Sequence, residues 1–148
     1  MKEIRFYEAG NPYGYFSNFA LYPLTWKGKI WPSSEHYYQA QKAAGTAWEE
    51  KIRLCETPQE AFDMTRLPEF PERADWVDVK DEAMYEAVYA KFTQHEDLRR
   101  KLLESGDAIL IEDSPVDYYW GCGSDGTGKN MLGKTLMAIR KILAEQSG

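Results

Sequence analysis

Polar and apolar positions alternate from Lys2 to Tyr7, the period of a half-buried strand. Asn11-Pro12-Tyr13-Gly14 is a turn signal. Leu24 to Trp31 predicts a hairpin about Lys27-Gly28, ended by Pro32. Ser33 or Ser34 then caps a helix from Glu35 to about Ala44, which Gly45 stops. Trp48 to Cys55 and Pro58 to Leu67 predict two short helices, the second with Pro58 at its first position after Thr57. Pro68-Glu69-Phe70-Pro71 is a break too short for a domain linker. A period near 3.6 returns in Val79, Ala83, Met84, Ala87, Val88 and Phe92, and predicts a long helix from about Asp75 to Thr93. Glu96 to Glu104 is a further helix ended by Gly106, and Ala108 to Ile111 a short apolar strand. Ser114 to Lys129 is irregular. A last helix, Asn130 to about Glu145, buries Leu132, Leu136, Ile139 and Leu143. The expected fold class is α+β: one helix-dominated domain over residues 1–148, with a few short strands.

Length and composition narrow the function. A chain of 148 residues buries enough surface to fold without a disulfide or metal staple. The net charge of −6 weighs against a general nucleic-acid binder, which needs a basic field to displace counterions. Cys55 and Cys122 form no CxxC pair, which fits a reducing compartment. MKEIRFYEAG holds no apolar signal core, and no apolar run nears the roughly 20 residues that span a bilayer. These features predict a cytoplasmic protein with no membrane partner.

Three stretches carry possible chemistry. In Ser33 to Lys42, helical spacing puts Glu35, Tyr38, Gln39 and Lys42 on one face, with Glu35 and Lys42 about 10 Å apart along the axis. Such a face is either a solvated polar stripe or one wall of a small-ligand site. In Glu112 to Gly123, Asp117 stands three residues before Trp120, within a run of three aromatics. A carboxylate beside a stacking ring suits a sugar or base ligand, while an Asx-type turn over core aromatics suits the same residues. Gly123 to Asn130 nearly spells a phosphate-binding P-loop, but Asn130 replaces the required Ser or Thr and no buried strand precedes it. What remains is a glycine-rich turn entering a helix, able to hold an anion with Lys129, or simply a loop capped by Asn130. Asn18, in Phe16-Ser17-Asn18-Phe19, suits ribose hydroxyls. Trp76 and Lys80, one turn apart, are either packing with a surface lysine or a site wall. His36 and His95 lie in unrelated segments, so neither a metal nor any other cofactor is expected.

Several of these blocks recur together. Phe16-Ser17-Asn18-Phe19, Trp31-Pro32-x-Ser34-Glu35-His36-Tyr37-Tyr38-Gln39-Ala40-Gln41-Lys42, Trp76-x-x-Val79-Lys80, Ala90-Lys91-Phe92, Asp117-x-x-Trp120-Gly121 and Gly128 to Lys134 stand in this order. In them the chain resembles the NADAR family from about Phe6 to Arg140, and in particular its riboflavin-biosynthesis N-glycosidases. One departure is Thr65-Arg66, where the family pattern often reads Gly-Arg. The resemblance implies hydrolysis of the N-glycosidic bond of phosphorylated ribosylaminopyrimidines, with release of ribose 5-phosphate. Removal of ADP-ribose from guanine bases is the alternative, and a binding module for NAD or ADP-ribose without chemistry is a third reading. The partner is then a small phosphoribosyl compound, with stable nucleic-acid binding expected only if modified bases are the substrate.

An N-glycosidase needs a proton donor at the leaving nitrogen and an anion near the anomeric carbon. On the resemblance, Glu35 is the acid/base and Asp117 the second carboxylate. Trp76 and Trp120, with Tyr38, wall the heterocycle; Arg66 and Lys129 meet the phosphate; Asn18, Lys80 and Asn130 complete the binding set. Lys42 is the residue able to form an imine with a ring-opened sugar.

Overall fold

A computed structural model describes residues 2–147. Among the described residues the secondary structure is six α-helices, one 3₁₀ turn and four short strands in two small sheets, an α+β arrangement. The chain forms two compact units, one of residues 18–94 and one of the residues before Asn18 with those after Gln94.

The first unit begins with the expected hairpin, β1 (Leu24–Trp26) and β2 (Lys29–Trp31). Lys27 and Gly28 both take positive φ, 51° and 82°, as a two-residue type I′ turn requires. The side chain of Gln94 completes the hairpin's edge: its amide donates to the Thr25 carbonyl and accepts from the Thr25 N–H, both at 2.7 Å. Four helices follow: α1 (Ser34–Gln41), α2 (Ala47–Arg53), α3 (Pro58–Met64) and α4 (Trp76–Gln94). Ser33, Thr46 and Thr57 cap the first three by accepting main-chain N–H groups. Helix α1 packs on α2, α3 and α4. The core between them joins Leu24, Trp31, Tyr37, Ala40, Ile52, Ala61, Ala87 and Ala90.

His36 latches α1. Its Nε2 meets the Cys55 carbonyl at 2.9 Å, and its Nδ1 meets the Ser33 hydroxyl at 2.7 Å. A carbonyl only accepts, so Nε2 carries the proton and Nδ1 accepts from Ser33. The same Ser33 oxygen accepts the His36 N–H. Burial holds the imidazole pKa below its ordinary value.

The second unit pairs β3 (Glu3–Phe6) with β4 (Ile109–Glu112) in parallel, Ile4 opposite Leu110. Helix α5 (Glu96–Glu104) packs on α6 (Met131–Ser147), and α6 lies on β4. Leu98, Leu102, Leu110, Leu132, Leu136, Ile139 and Leu143 are fully buried. Gly133 sets how closely α6 approaches the strand: a Cβ there would sit 2.0 Å from the Leu110 carbonyl oxygen. The predicted helices and strands all appear, most with ends displaced by a few residues. A 3₁₀ turn at Gly14–Phe16 was not expected.

Two outcomes test this account. Gly133→Ala should destabilise by about 1–3 kcal/mol, the ordinary cost of overpacking, although the same change in an open helix would stabilise by about 1 kcal/mol. A urea titration with neutral or raised stability would refute the close approach. His36 has a folded-state pKa below its ordinary 6.5. Its contribution is therefore complete above about pH 6.5 and is lost as pH falls below it, because the unfolded chain takes up the proton first. The stability difference between wild type and His36→Gln should shrink over that window and stay constant above it.

Candidate functional site

Seven of the predicted site residues fall in the 18–94 unit, and their positions follow from α1. Glu35 is in the first turn, at the positive end of the helix dipole. Its own N–H donates to the Asn18 carbonyl at 3.2 Å. Asn18 is buried beneath: its Oδ1 accepts from the Ser34 hydroxyl at 2.8 Å, and its Nδ2 lies 3.0 Å from the Met84 sulfur. Asn18 thus fastens the start of α1 to α4. One turn after Glu35, Gln39 donates from Nε2 to Glu35 Oε2 at 2.6 Å.

Lys42 ends α1 and is 9% exposed. The Arg73 N–H donates to its carbonyl at 2.8 Å, which ties the segment before α4 to the end of α1. Trp76 therefore meets Tyr38, with ring centroids 5.2 Å apart and planes tilted by 59°. The Lys42 ammonium lies 5.8 Å from the Tyr38 ring and 5.9 Å from the Trp76 ring. Burial is the main cause that holds the Lys42 pKa below its ordinary value. The Arg66 charge lowers it further and that of Lys80 does so more weakly, while Glu72 and Glu35 oppose them. Arg66 lies over the Phe62 ring, its guanidinium carbon 3.4 Å from the centroid, and donates to Thr65 Oγ1 at 2.7 Å. A buried acid with a fixed donor and a half-desolvated lysine between two rings thus stand on one helix. That is equipment for proton transfer and for amine nucleophilic chemistry.

The other four predicted residues belong to the other unit. Asp117 Oδ1 accepts the N–H groups of Tyr119 at 2.9 Å and Trp120 at 2.8 Å, so this carboxylate does make the Asx-type turn. Its Oδ2 is not engaged in those bonds. Trp120 is buried and stands edge-on to Tyr119, centroids 4.9 Å apart. Lys129 is exposed, its ammonium 5.6 Å from the Tyr119 ring.

Of the two readings of the turn before α6, the anion cradle lacks free donors at the helix start. The N–H groups of Asn130, Met131 and Leu132 donate to the carbonyls of Gly121, Tyr119 and Trp120 at 3.0, 2.9 and 3.1 Å. Those donors are taken by the chain itself. Asn130 is an anchor: Oδ1 accepts from the Glu112 N–H at 2.9 Å and Nδ2 donates to the Leu110 carbonyl at 2.8 Å, which ties α6 to β4. Among the described residues, no three His, Cys, Asp or Glu side chains come together as a metal site, and no helix is long and apolar enough to cross a membrane.

The NADAR domain model matches residues 5–144. The chain belongs to the NADAR domain family. N-glycosidase YbiA of Escherichia coli K12 is 46% identical over 141 residues, which are 95% of this chain and 88% of that protein. A riboflavin biosynthesis protein of Vibrio vulnificus is 42% identical over 144 residues, 97% of this chain and 39% of the longer protein. The NMR structure of Escherichia coli YbiA superposes with a TM-score of 0.91 at 44% identity, over 99% of this chain and 87% of that one.

In this NADAR chain two polar residues that the sequence reading named without giving them a role, Gln39 and Thr65, are linked to Glu35. Gln39 had a signal, its i+4 spacing from Glu35. Thr65 stood out only as a departure from the family's Gly-Arg pattern; it stands just after α3 and meets Gln39 through the packing of α3 on α1.

The electrostatics of Lys42 can be measured. Removing the Arg66 charge in Arg66→Gln should raise the Lys42 pKa toward its ordinary value, so less neutral amine is present at a given pH. The pH dependence of Lys42 acetylation, followed by peptide mass spectrometry, should shift upward. An unchanged or lower midpoint would show that Arg66 does not act on this amine.

Proposed function

We propose that this chain hydrolyses the N-glycosidic bond of a phosphorylated ribosylaminopyrimidine, releasing the free aminopyrimidine and ribose 5-phosphate. The relatives named N-glycosidase support the reaction class, and those named riboflavin biosynthesis proteins favour the pyrimidine intermediate as substrate. The observation that carries the mechanism is Lys42, desolvated between Tyr38 and Trp76 on the helix that also holds Glu35.

In this reading the ribose ring opens first, its ring oxygen taking a proton and C1 remaining joined to the aminopyrimidine nitrogen as an iminium, and Glu35 later protonates that nitrogen as the C1–N bond breaks. Burial and the Gln39 amide keep the carboxyl in one orientation, which is what a proton donor needs. The lowered pKa of Lys42 supplies neutral amine, which adds to C1 of this iminium and forms an aminal that holds both nitrogens. The C1–N bond to the protonated aminopyrimidine then breaks, an imine joins Lys42 to the pentose phosphate, and water hydrolyses it to free amine and ribose 5-phosphate. Asp117 is kept as the second carboxylate that the family resemblance implies. Trp76 is a stacking surface for the heterocycle, Asn18 and Lys80 support the binding face, and Arg66 is a cation for the phosphate. The compound is a small molecule, so no stable nucleic-acid partner is invoked.

Incubation with a ribosylaminopyrimidine phosphate, with products identified by mass spectrometry, tests the substrate. Guanine-linked ADP-ribose is the comparison, and its preferential cleavage would replace this reading with the ADP-ribosyl hydrolase. Glu35→Gln should fold and lose about 10²–10⁴ in rate. Lys42→Arg should also be inactive, since a guanidinium keeps the charge but forms no imine. Borohydride added during turnover should leave a pentose phosphate adduct that maps to Lys42. No adduct together with an active Lys42→Arg would favour direct hydrolysis by Glu35 and Asp117.

A further inference from the structure

The carboxylate of Glu35 is held from a distance. Gln39 is 3% exposed, and its two amide ends have separate duties. A carboxylate only accepts, so the Gln39 Nε2 group faces Glu35 Oε2, at 2.6 Å. The Oε1 end then faces Thr65 Oγ1, at 3.2 Å. Thr65 Oγ1 in turn accepts from the Arg66 guanidinium at 2.7 Å. Its one proton is shared between Gln39 Oε1 and the Phe62 carbonyl, 3.0 Å away. The bonds run in one direction: guanidinium to hydroxyl, hydroxyl to amide oxygen, amide nitrogen to carboxylate. Each donor in such a chain polarises the next, so a cation at one end strengthens the bond to an anion at the other.

We infer that Thr65, acting through Gln39, is a positioning residue that fixes the orientation of the Glu35 carboxylate and favours its charged form. The inference rests on the reading of Glu35 as the acid/base. Thr65 does not itself act on the substrate. Without its hydroxyl, Gln39 Oε1 is a buried acceptor with no partner, and the amide turns to find one. Glu35 then loses a directed donor. A carboxylate that loses a hydrogen bond to its charged form binds its proton more tightly, so the change is visible in titration as well as in rate.

The experiment compares Thr65→Val, Thr65→Ser, Gln39→Leu and Glu35→Gln on a synthetic ribosylaminopyrimidine phosphate, with kcat and KM measured across pH. Thr65→Val should lower kcat about tenfold, in line with misplacement of a catalytic group, and leave KM unchanged. One of the two apparent pKa values of the kcat profile should rise by about half a unit to one unit. Thr65→Ser, which keeps the hydroxyl, should restore both. A purely structural role would scale activity with the folded fraction and leave the profile in place. An unmoved profile in folded Thr65→Val overturns the inference. Should that variant not fold, Gln39→Leu breaks the same chain while keeping Thr65, and an unmoved profile there overturns it equally. Glu35→Gln separates the two levels. Its activity would sink the reading of Glu35 and this inference together, whereas an inactive Glu35→Gln beside an unaltered Thr65→Val sinks the inference alone.

Discussion

Helix α1 has the sequence Ser-Glu-His-Tyr-Tyr-Gln-Ala-Gln, and every residue of it but the last is buried. That is the constraint on which the 18–94 unit depends. Polar groups taken out of water without partners are costly, and a charged group is costlier still. The unit is accordingly arranged so that Ser34, His36, Tyr37 and Gln39 of α1 each find a partner outside the helix. Ser34 turns to Asn18, which follows the end of the other unit's first segment in sequence. His36 turns to Ser33 and to the carbonyl that ends α2. Tyr37 donates to Glu86 on α4 at 2.8 Å, and burial with that carboxylate raises its pKa. Gln39 turns to Glu35 and, across to α3, to Thr65. An apolar helix here would pack with any neighbour of suitable shape. This one accepts only neighbours that present the right donor or acceptor, so specificity of packing and placement of the acid are one problem with one solution.

Burial alone does not mark a reactive lysine. Lys91 on α4 is fully buried, 5.7 Å from the Tyr22 ring and 5.2 Å from that of Phe92, and its pKa is pushed down to about 7. By desolvation it is the stronger candidate for a neutral amine. Lys42 differs in access and in neighbours. It keeps a small exposed fraction at the end of its helix, it shares that helix with a carboxylate, and other cations contribute to lowering its pKa. A nucleophile must meet a ligand as well as lose its proton. The difference between the two residues is one of opening, which their sequence neighbours do not encode.

The elements legible in sequence were those with local causes. Helical period, Ser33, Thr57 with Pro58, and the Lys27-Gly28 turn all act within a few residues, and each predicted its element. The pairing of β3 with β4 has no such local cause: its strands are over a hundred residues apart, and each alone is too short to declare its partner. The Gly123 to Asn130 stretch misled for a related reason. Glycines before a helix suggest free N–H groups, but whether those groups are free depends on where the preceding carbonyls lie. Here residues 119–121 double back and accept them. The choice between Ser33 and Ser34 as the cap was equally open in sequence. The fold assigns the cap to Ser33 and gives Ser34 to Asn18.

The two carboxylates of the proposed chemistry show why placement from sequence is uneven. Glu35 lies within a helix, so spacing named its companions Tyr38 and Lys42 correctly as residues of one face, and the cluster of Lys42 with Tyr38 and Trp76 followed once α4 was tied to α1. Asp117 lies in a loop, where spacing says little about direction. One of its oxygens serves the backbone of Tyr119 and Trp120, and that is the bland expectation for an aspartate three residues before a turn. The bland role does not compete with a chemical one. A carboxylate whose Oδ1 is fixed by two main-chain donors has its plane fixed as well, and its second oxygen is thereby aimed without any further support. The turn that explains Asp117 as structure is also the device that would hold it still as a catalytic anion.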